Sequence, residues 1–198
     1  GIREELEQFG IDVVSVMDAH FDSELQNAQL DGIRLQKPDA VIAIPADDSR
    51  TRENFQELSK VSKLVFISNV PEGMSKNSYV SCVSVNESEN GTNAGRMLGE
   101  YCKENGKTKV GFIVHGAVFY GTRVRDNAAE KTINDTYPGI DIVTVRGFGD
   151  ISNAYQVAKD VITLNPEIEA LYVSWDRPAL LVIKALKELG RGDVAVFT

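Results

Sequence analysis

The sequence predicts an α/β fold of two doubly wound parallel-sheet lobes, and three observations carry that reading. Short apolar runs bounded by turn residues alternate with segments of helical periodicity along the chain, the pattern of strands joined by crossover helices. The run Val110 to Val114 is continuously apolar rather than alternating, as a strand covered on both faces is. The alternation falters once, at residues 79–85, where an extended stretch follows a turn-rich loop with no helix between them. The lobe boundary is placed there, giving a first lobe over 1–84 and a second over 85–198.

Bulk composition narrows the function classes. With 42% apolar and 25% charged residues, the 198-residue chain has an ordinary soluble globular composition. No run approaches the ~18 apolar residues of a transmembrane helix. A net charge of -8 argues against nonspecific nucleic-acid binding, which needs a basic face. Two cysteines, Cys82 and Cys102, make neither a disulfide framework nor a thiolate metal site, and both read as small buried hydrophobes.

Taken in order, the chain opens on a helix with Ile2, Leu6 and Phe9 on one face and Gly10 as its stop. Ile11 to Val16 reads as a strand. A helix from about Ser23 to Gln36 ends before Pro38, and Ala40 to Ile44 is the next strand. Asp47, Asp48 and Ser49 are N-cap candidates for a helix whose Phe55, Leu58 and Val61 share a face. A strand over 64–67 runs into the loop SNVPEGM.

After the boundary, Asn86 to Asn105 is a helix with Ala94, Met97, Leu98 and Tyr101 inward. Gly91, Gly95 and Gly99 lie four apart, which predicts a close approach of this helix to a sheet. A strand over 109–114, a glycine-flanked loop over 116–121 and a helix to about Thr136 follow. Then come a strand over 141–145, a helix carrying Ala154, Val157, Ala158, Val161 and Leu164 inward, and a strand over 169–174. Asp176 is placed to N-cap the next helix, with Pro178 in its first turn. A last strand occupies 194–197. A first strand preceded by a helix and a last strand followed by none predict a fold truncated at both ends.

Candidate chemistry is sparse. Asp18, His20 and Asp22 follow a strand end, but their spacing matches no metal motif. His115 stands alone after strand 109–114 and reads as a structural histidine. There is no G-x-S-x-G, no G-x-x-x-x-G-K-[ST] and no G-x-G-x-x-G, and Gly147-Phe148-Gly149 lacks the third glycine. No positioned nucleophile, metal site or cofactor motif emerges, which favours a binder over an enzyme. What remains is polar and aromatic residues at strand carboxyl ends: Ser68 and Asn69 in the first lobe, then Phe119, Tyr120, Arg125, Phe148, Asp150, Trp175 and Asp176 in the second. Aromatic faces on an apolar sugar face, with amide, carboxylate and guanidinium groups bonding hydroxyls, suit a small polyhydroxylated ligand.

The motifs FGIDVVSVMDAHFDSELQ, PDAVIAIPAD, SVNESENGTNAGRMLGEY, KVGFIVHG, RVRDNAA, NPEIEALYVSWDRPALLVIKALKELG and DVAVF span nearly the whole chain. In this order they resemble the type I periplasmic sugar-binding proteins of ABC transporters, the ribose-binding-protein-like group, whose relatives include the effector domains of LacI-type repressors. The resemblance implies two lobes joined by a hinge near Cys82 to Asn86, with a sugar or polyol bound between them. It also implies delivery to an ABC permease or a membrane sensor. The implied location is periplasmic or extracellular, with a membrane-associated lipoprotein form among the options. The alternative it implies is the effector-binding domain of a LacI-type regulator.

By the same resemblance Arg125 matches the family's ligand arginine, in an R-x-x-G pattern where Ala128 replaces glycine. Phe148 and Asp150 match a loop bordering the site. Ser68-Asn69 stand where many members carry Asp-Arg, Trp175 precedes Asp176 where many carry Asn, and Ile44 takes a position often filled by Asn. These departures imply a bulkier or less polar ligand than a simple pentose, stacked on Trp175. The implied fold has a further strand before Gly1, and an acidic ligand residue beyond Thr198.

Overall fold

Strand pairing sorts the β-strands into two separate sheets, each wholly parallel. The computed structural model describes residues 1–116 and 119–198. The chain divides into two units, Gly1–Val85 and Asn86–Thr198.

The first unit contains α1 (Ile2–Gln8), α2 (Ser23–Gln36), β1 (Ala40–Ala43), α3 (Arg52–Leu58), β2 (Lys63–Ile67) and β3 (Ser81–Val83), with sheet order β1-β2-β3. The Asp22 carboxylate caps α2, accepting from the Glu24 and Leu25 amides at 2.8 and 3.0 Å, as an N-cap aspartate does. One sheet face, carrying Val41, Ala43, Leu64, Phe66 and Cys82, packs with Leu30 and Ile33 of α2 and with Phe55 and Leu58 of α3. Val61, expected on the α3 face, lies beyond the end of that helix.

The strand expected over Ile11 to Val16 does not form. Apolar, β-branched composition suits a strand, but a strand exists only through a ladder partner. Residues 11–16 pair with neither edge of the β1-β2-β3 sheet, and Ile11, Val14 and Val16 are 50%, 72% and 73% exposed. The MDAHFD stretch is a turn leading into the Asp22 cap, and the Asp18 carboxylate accepts from the His20 amide at 2.7 Å. No group of three or more metal-ligating side chains occurs among the described residues.

The second unit runs α4 (Glu87–Glu104), β4 (Lys109–His115), α5 (Tyr120–Thr136), β5 (Asp141–Phe148), α6 (Ala154–Leu164), β6 (Ala170–Val173), α7 (Asp176–Glu188) and β7 (Ala195–Phe197). Its sheet order is β5-β4-β6-β7. The period-2 alternation of the strands divides the core in two. Val110 and Phe112 of β4, with Ala170 and Tyr172 of β6, pack against Leu98 and Cys102 of α4 and Ala129 and Ile133 of α5. Ile113, Leu171 and Val173 face the other way, onto Ala158 and Val161 of α6 and Val182 and Leu186 of α7. Helices therefore cover both faces, the doubly wound arrangement.

The glycine stripe of α4 lies against α5, not against the sheet as expected. A methyl added at Gly91 would sit 2.0 Å from the Arg125 carbonyl oxygen, and one at Gly95 would sit 2.7 Å from that of Ala129. Met97 and Leu164, both expected inward, are exposed. Each falls just outside the stripe its helix buries, and a helical stripe read from sequence does not fix its own edges. Strand β5 runs three residues past its expected end, to Phe148.

Candidate functional site

From β4 the chain first goes to β5 on one side, and later to β6 on the other. The carboxyl ends of β4 and β6 thus form the topological switch point, where open α/β sheets take their ligands. His115 ends β4, and Ser174-Trp175 follow β6.

Ser174 is the node of this edge. Its hydroxyl accepts from the His115 amide at 2.9 Å and donates to Asp126 Oδ2 at 2.8 Å. The Tyr172 hydroxyl donates to the other Asp126 oxygen at 2.8 Å. All three side chains are buried. Burial pushes the Asp126 carboxyl above its usual range, with the Ser174 and Tyr172 hydrogen bonds acting against that rise. Burial, then the adjacent Asp126, pushes the Tyr172 phenol up.

Arg125, in the second turn of α5, lies over this node. Its Nη1 donates to the Ser174 carbonyl at 2.8 Å. Its Nε and Nη2 both donate to Glu87 Oε2, at 2.8 and 2.5 Å. Glu87 is the first residue of α4, behind the Asn86 cap, where a carboxylate also complements the helix dipole. The two side chains are 20% and 9% exposed, so the pair is largely removed from water. A guanidinium has five N–H groups. Three make these bonds, which leaves two without a partner among the described residues.

An aromatic cluster adjoins. The His115 ring meets the Trp175 ring edge-on at 5.2 Å and the Phe148 ring at 5.7 Å, and Phe148 and Trp175 are 5.3 Å apart. His115 Nδ1 lies 3.0 Å from Thr122 Oγ1. Burial pushes the His115 pKa down, favouring the neutral ring. Trp175 keeps part of its surface exposed, whereas Phe148 is only 1% exposed. Phe148 therefore backs the other two rings and has no face of its own to offer.

The structure packs Phe148 against Trp175 and bonds Arg125 to the carbonyl of Ser174, the residue before Trp175. Asp176 is exposed and is not an N-cap. Trp175, in extended conformation, occupies the cap position, and Asp176 begins the helix. With Trp175 as the last extended residue, the Asp176 carboxylate is one position too late and, among the described residues, accepts from the adjacent Arg177 amide alone. Phe119 is the N-cap of α5 and accepts through its carbonyl from the Arg123 amide and the Thr122 hydroxyl. Tyr120 is the first helical residue and is exposed. The expected loop over 116–121 thus ends earlier, and its residues 117–118 lie outside the described residues. Asp150 caps a 3-10 turn through Ser152, whose hydrogen bonds hold its carboxyl below the usual range.

Ser68 and Asn69 belong to the first unit, at the carboxyl end of β2. Ser68 sits at φ +76°. Its amide donates to the Val83 carbonyl, and its own carbonyl accepts from the Ser84 hydroxyl. Asn69 is 5% exposed and donates through Nδ2 to Asp48, while its Oδ1 has no hydrogen-bond partner among the described residues.

Sequence reasoning missed Glu87, Thr122, Asp126, Tyr172 and Ser174 as parts of this edge. Glu87 carried one usable signal, an acidic residue directly after an N-cap asparagine. That position explains it as a dipole partner, and nothing local links it to Arg125.

A doubly wound sheet with a satisfied polar network, an arginine and exposed aromatic surface at its switch point defines an α/β small-molecule-binding unit. The whole chain, residues 1–198, matches the family described as Periplasmic binding protein domain. This chain belongs to that family of binding proteins. No curated protein sequence matches it.

Solved structures agree on the fold. A carbohydrate transporter solute-binding protein from Agrobacterium radiobacter, in complex with D-arabinose, is 22% identical with a TM-score of 0.88. The match covers 98% of this chain and 67% of that one. An ABC transporter periplasmic solute-binding protein from Actinobacillus succinogenes with bound D-allose is 22% identical, TM-score 0.84, over 98% and 69% of the two chains. The arabinose-transporter binding protein of Shewanella sp. ANA-3, bound to L-arabinofuranose, is 20% identical, TM-score 0.88, over 98% and 66%. This chain spans about two thirds of their length.

Proposed function

We propose that the chain is the greater part of an extracytoplasmic sugar-binding protein of an ABC transporter. It would take a small polyhydroxylated ligand and hand it to a membrane permease. The protein would work outside the cytoplasm, either free or held to the membrane as a lipoprotein. The observation that carries this reading is Arg125, fixed by Glu87 and by the carbonyl of Ser174, the residue preceding the partly exposed Trp175, with two of its N–H groups unbonded among the described residues. Fixed donors next to an aromatic surface are the two components of sugar recognition, hydroxyl bonding and ring stacking. Family membership supports a binding role, and the similar structures named above are transport components rather than regulators. That favours the transporter reading over the effector domain of a LacI-type regulator.

The test is titration of Trp175 fluorescence, the chain's single tryptophan, with a panel of aldopentoses, aldohexoses and polyols. Saturable responses to a panel member are expected. Arg125→Ala should weaken binding by about 1.5–3 kcal/mol, the range for a hydrogen bond to a charged group. A folded protein that answers no panel member would defeat the proposal, and unchanged affinity in Arg125→Ala would remove Arg125 from the site.

A further inference from the structure

We infer that Glu87 positions Arg125 and, by balancing its charge, makes the site select neutral polyols over sugar acids. The inference rests on Arg125 contacting the ligand. An arginine alone at a binding edge would attract carboxylates and phosphates, for which its planar fork is suited. Here the fork is already engaged. Nε and Nη2, the pair that would grip a ligand carboxylate side by side, both converge on Glu87 Oε2. What is left is one N–H on Nη1 and one on Nη2, on a guanidinium whose charge Glu87 already offsets.

Charge points the same way. Glu87 is 9% exposed and Arg125 20%, so water screens their attraction weakly and the pair presents close to zero net charge. A ligand carboxylate would gain little from Arg125 and would be placed near the Glu87 carboxylate. Arg177 stands beside Asp176 at the start of α7, exposed to solvent, where water screens its charge. Asp126 beneath Arg125 is acidic, Asp150 and Asp176 flank it, and His115 is held toward its neutral form by burial. A hydroxyl ligand needs none of that charge.

Replacing Glu87 with Gln separates charge from geometry, because the amide oxygen can still accept from Arg125. Affinities of wild type, Glu87→Gln and Glu87→Gln/Arg125→Ala are measured by calorimetry for D-galactose and D-galacturonate, which differ only in a C6 alcohol or carboxylate. Sulfate-dependent melting shifts are measured on the same three proteins. Wild type should favour galactose at least tenfold. Glu87→Gln should shift the ratio at least tenfold toward galacturonate. Sulfate should raise the melting temperature of Glu87→Gln, and of neither other protein.

Wild type binding galacturonate as well as galactose would overturn the inference without need of any variant. So would a folded Glu87→Gln that neither changes the ratio nor responds to sulfate. If wild type binds no neutral sugar, the sugar-binding reading itself fails. The sulfate measurement still decides whether Glu87 neutralises Arg125. A purely structural role for Glu87 would lower affinity for both sugars alike and leave their ratio unchanged.

Discussion

Gly91→Ala should destabilise the protein, although alanine is the better helix former. Position 91 lies inside α4, where the exchange by itself would contribute up to about 1 kcal/mol of stability. The added methyl would sit 2.0 Å from the Arg125 carbonyl oxygen and 3.0 Å from Ala128 Cβ. Carbon–oxygen contacts in proteins lie near 3.3–3.6 Å, so the helices would have to part by more than about 1 Å. The obstacle is backbone, and α5 cannot retreat freely because Ala129 and Ile133 are packed without exposure against the sheet. Overpacking of this kind costs about 1–3 kcal/mol. With the clash at backbone, the upper end applies, for a net loss of about 2 kcal/mol. Urea unfolding followed by circular dichroism measures it. The control is Gly32→Ala in α2, where a methyl meets nothing within 4 Å, and a gain of up to about 1 kcal/mol is expected. Because the displaced atom belongs to Arg125 itself, Gly91→Ala should also weaken ligand binding. A Gly91→Ala protein as stable as wild type would refute the claim that the two helices are locked at this distance.

Three further outcomes follow from individual residues. Lys37 ends α2 at φ +50° with its amide bonded to the Ile33 carbonyl, so Lys37→Gly keeps the bond and relieves the left-handed strain. A gain of about 0.5–1 kcal/mol in urea unfolding is expected, and a loss would contradict it. Tyr172→Phe removes one of the hydroxyls that satisfy buried Asp126 and should cost about 1–3 kcal/mol, measured the same way; a neutral result would mean that Asp126 finds another donor. Burial lowers the His115 pKa, so below about pH 6.5 the unfolded chain binds more protons at this residue than the native one. Stability should fall as pH drops from there toward the native value, and His115→Gln should flatten that fall. Asp126, with its raised pKa, contributes the opposite slope in a lower window, above the ordinary aspartate value of about 3.9. Identical pH slopes in wild type and His115→Gln would exclude His115 as the source.

The order of elements was legible because each is written in local pattern: an apolar run between turn residues, or a helical stripe with a cap. Asn86 before α4 and Asp22 before α2 are such caps, whereas Asp47, Asp48 and Ser49, expected to cap α3, fall short of its cap residue, Thr51. The failures share one cause. Residues 11–16 have strand composition and no partner, Asp176 is an acidic residue one position late for its cap, and the glycines of α4 face a helix instead of a sheet. Composition states what a segment can do. Which neighbour it meets depends on residues far along the chain.

The candidate site shows the same limit more sharply. Arg125, Trp175 and Phe148 could be picked out because each follows a strand and has a side chain suited to a ligand. What fixes Arg125 in place cannot be seen from its own sequence surroundings. Glu87 comes from the start of a different helix, 38 residues away, and the Ser174 carbonyl from the end of a different strand, 49 residues away. Only the order β5-β4-β6 brings the ends of β4 and β6 side by side, and only the glycine stripe brings α4 close enough for Glu87 to reach across to α5. An arginine read alone suggests an anion site. Once it is paired with a buried carboxylate, its charge is offset, and on the proposed reading the selectivity of the edge would reside in the helix contact that delivers Glu87.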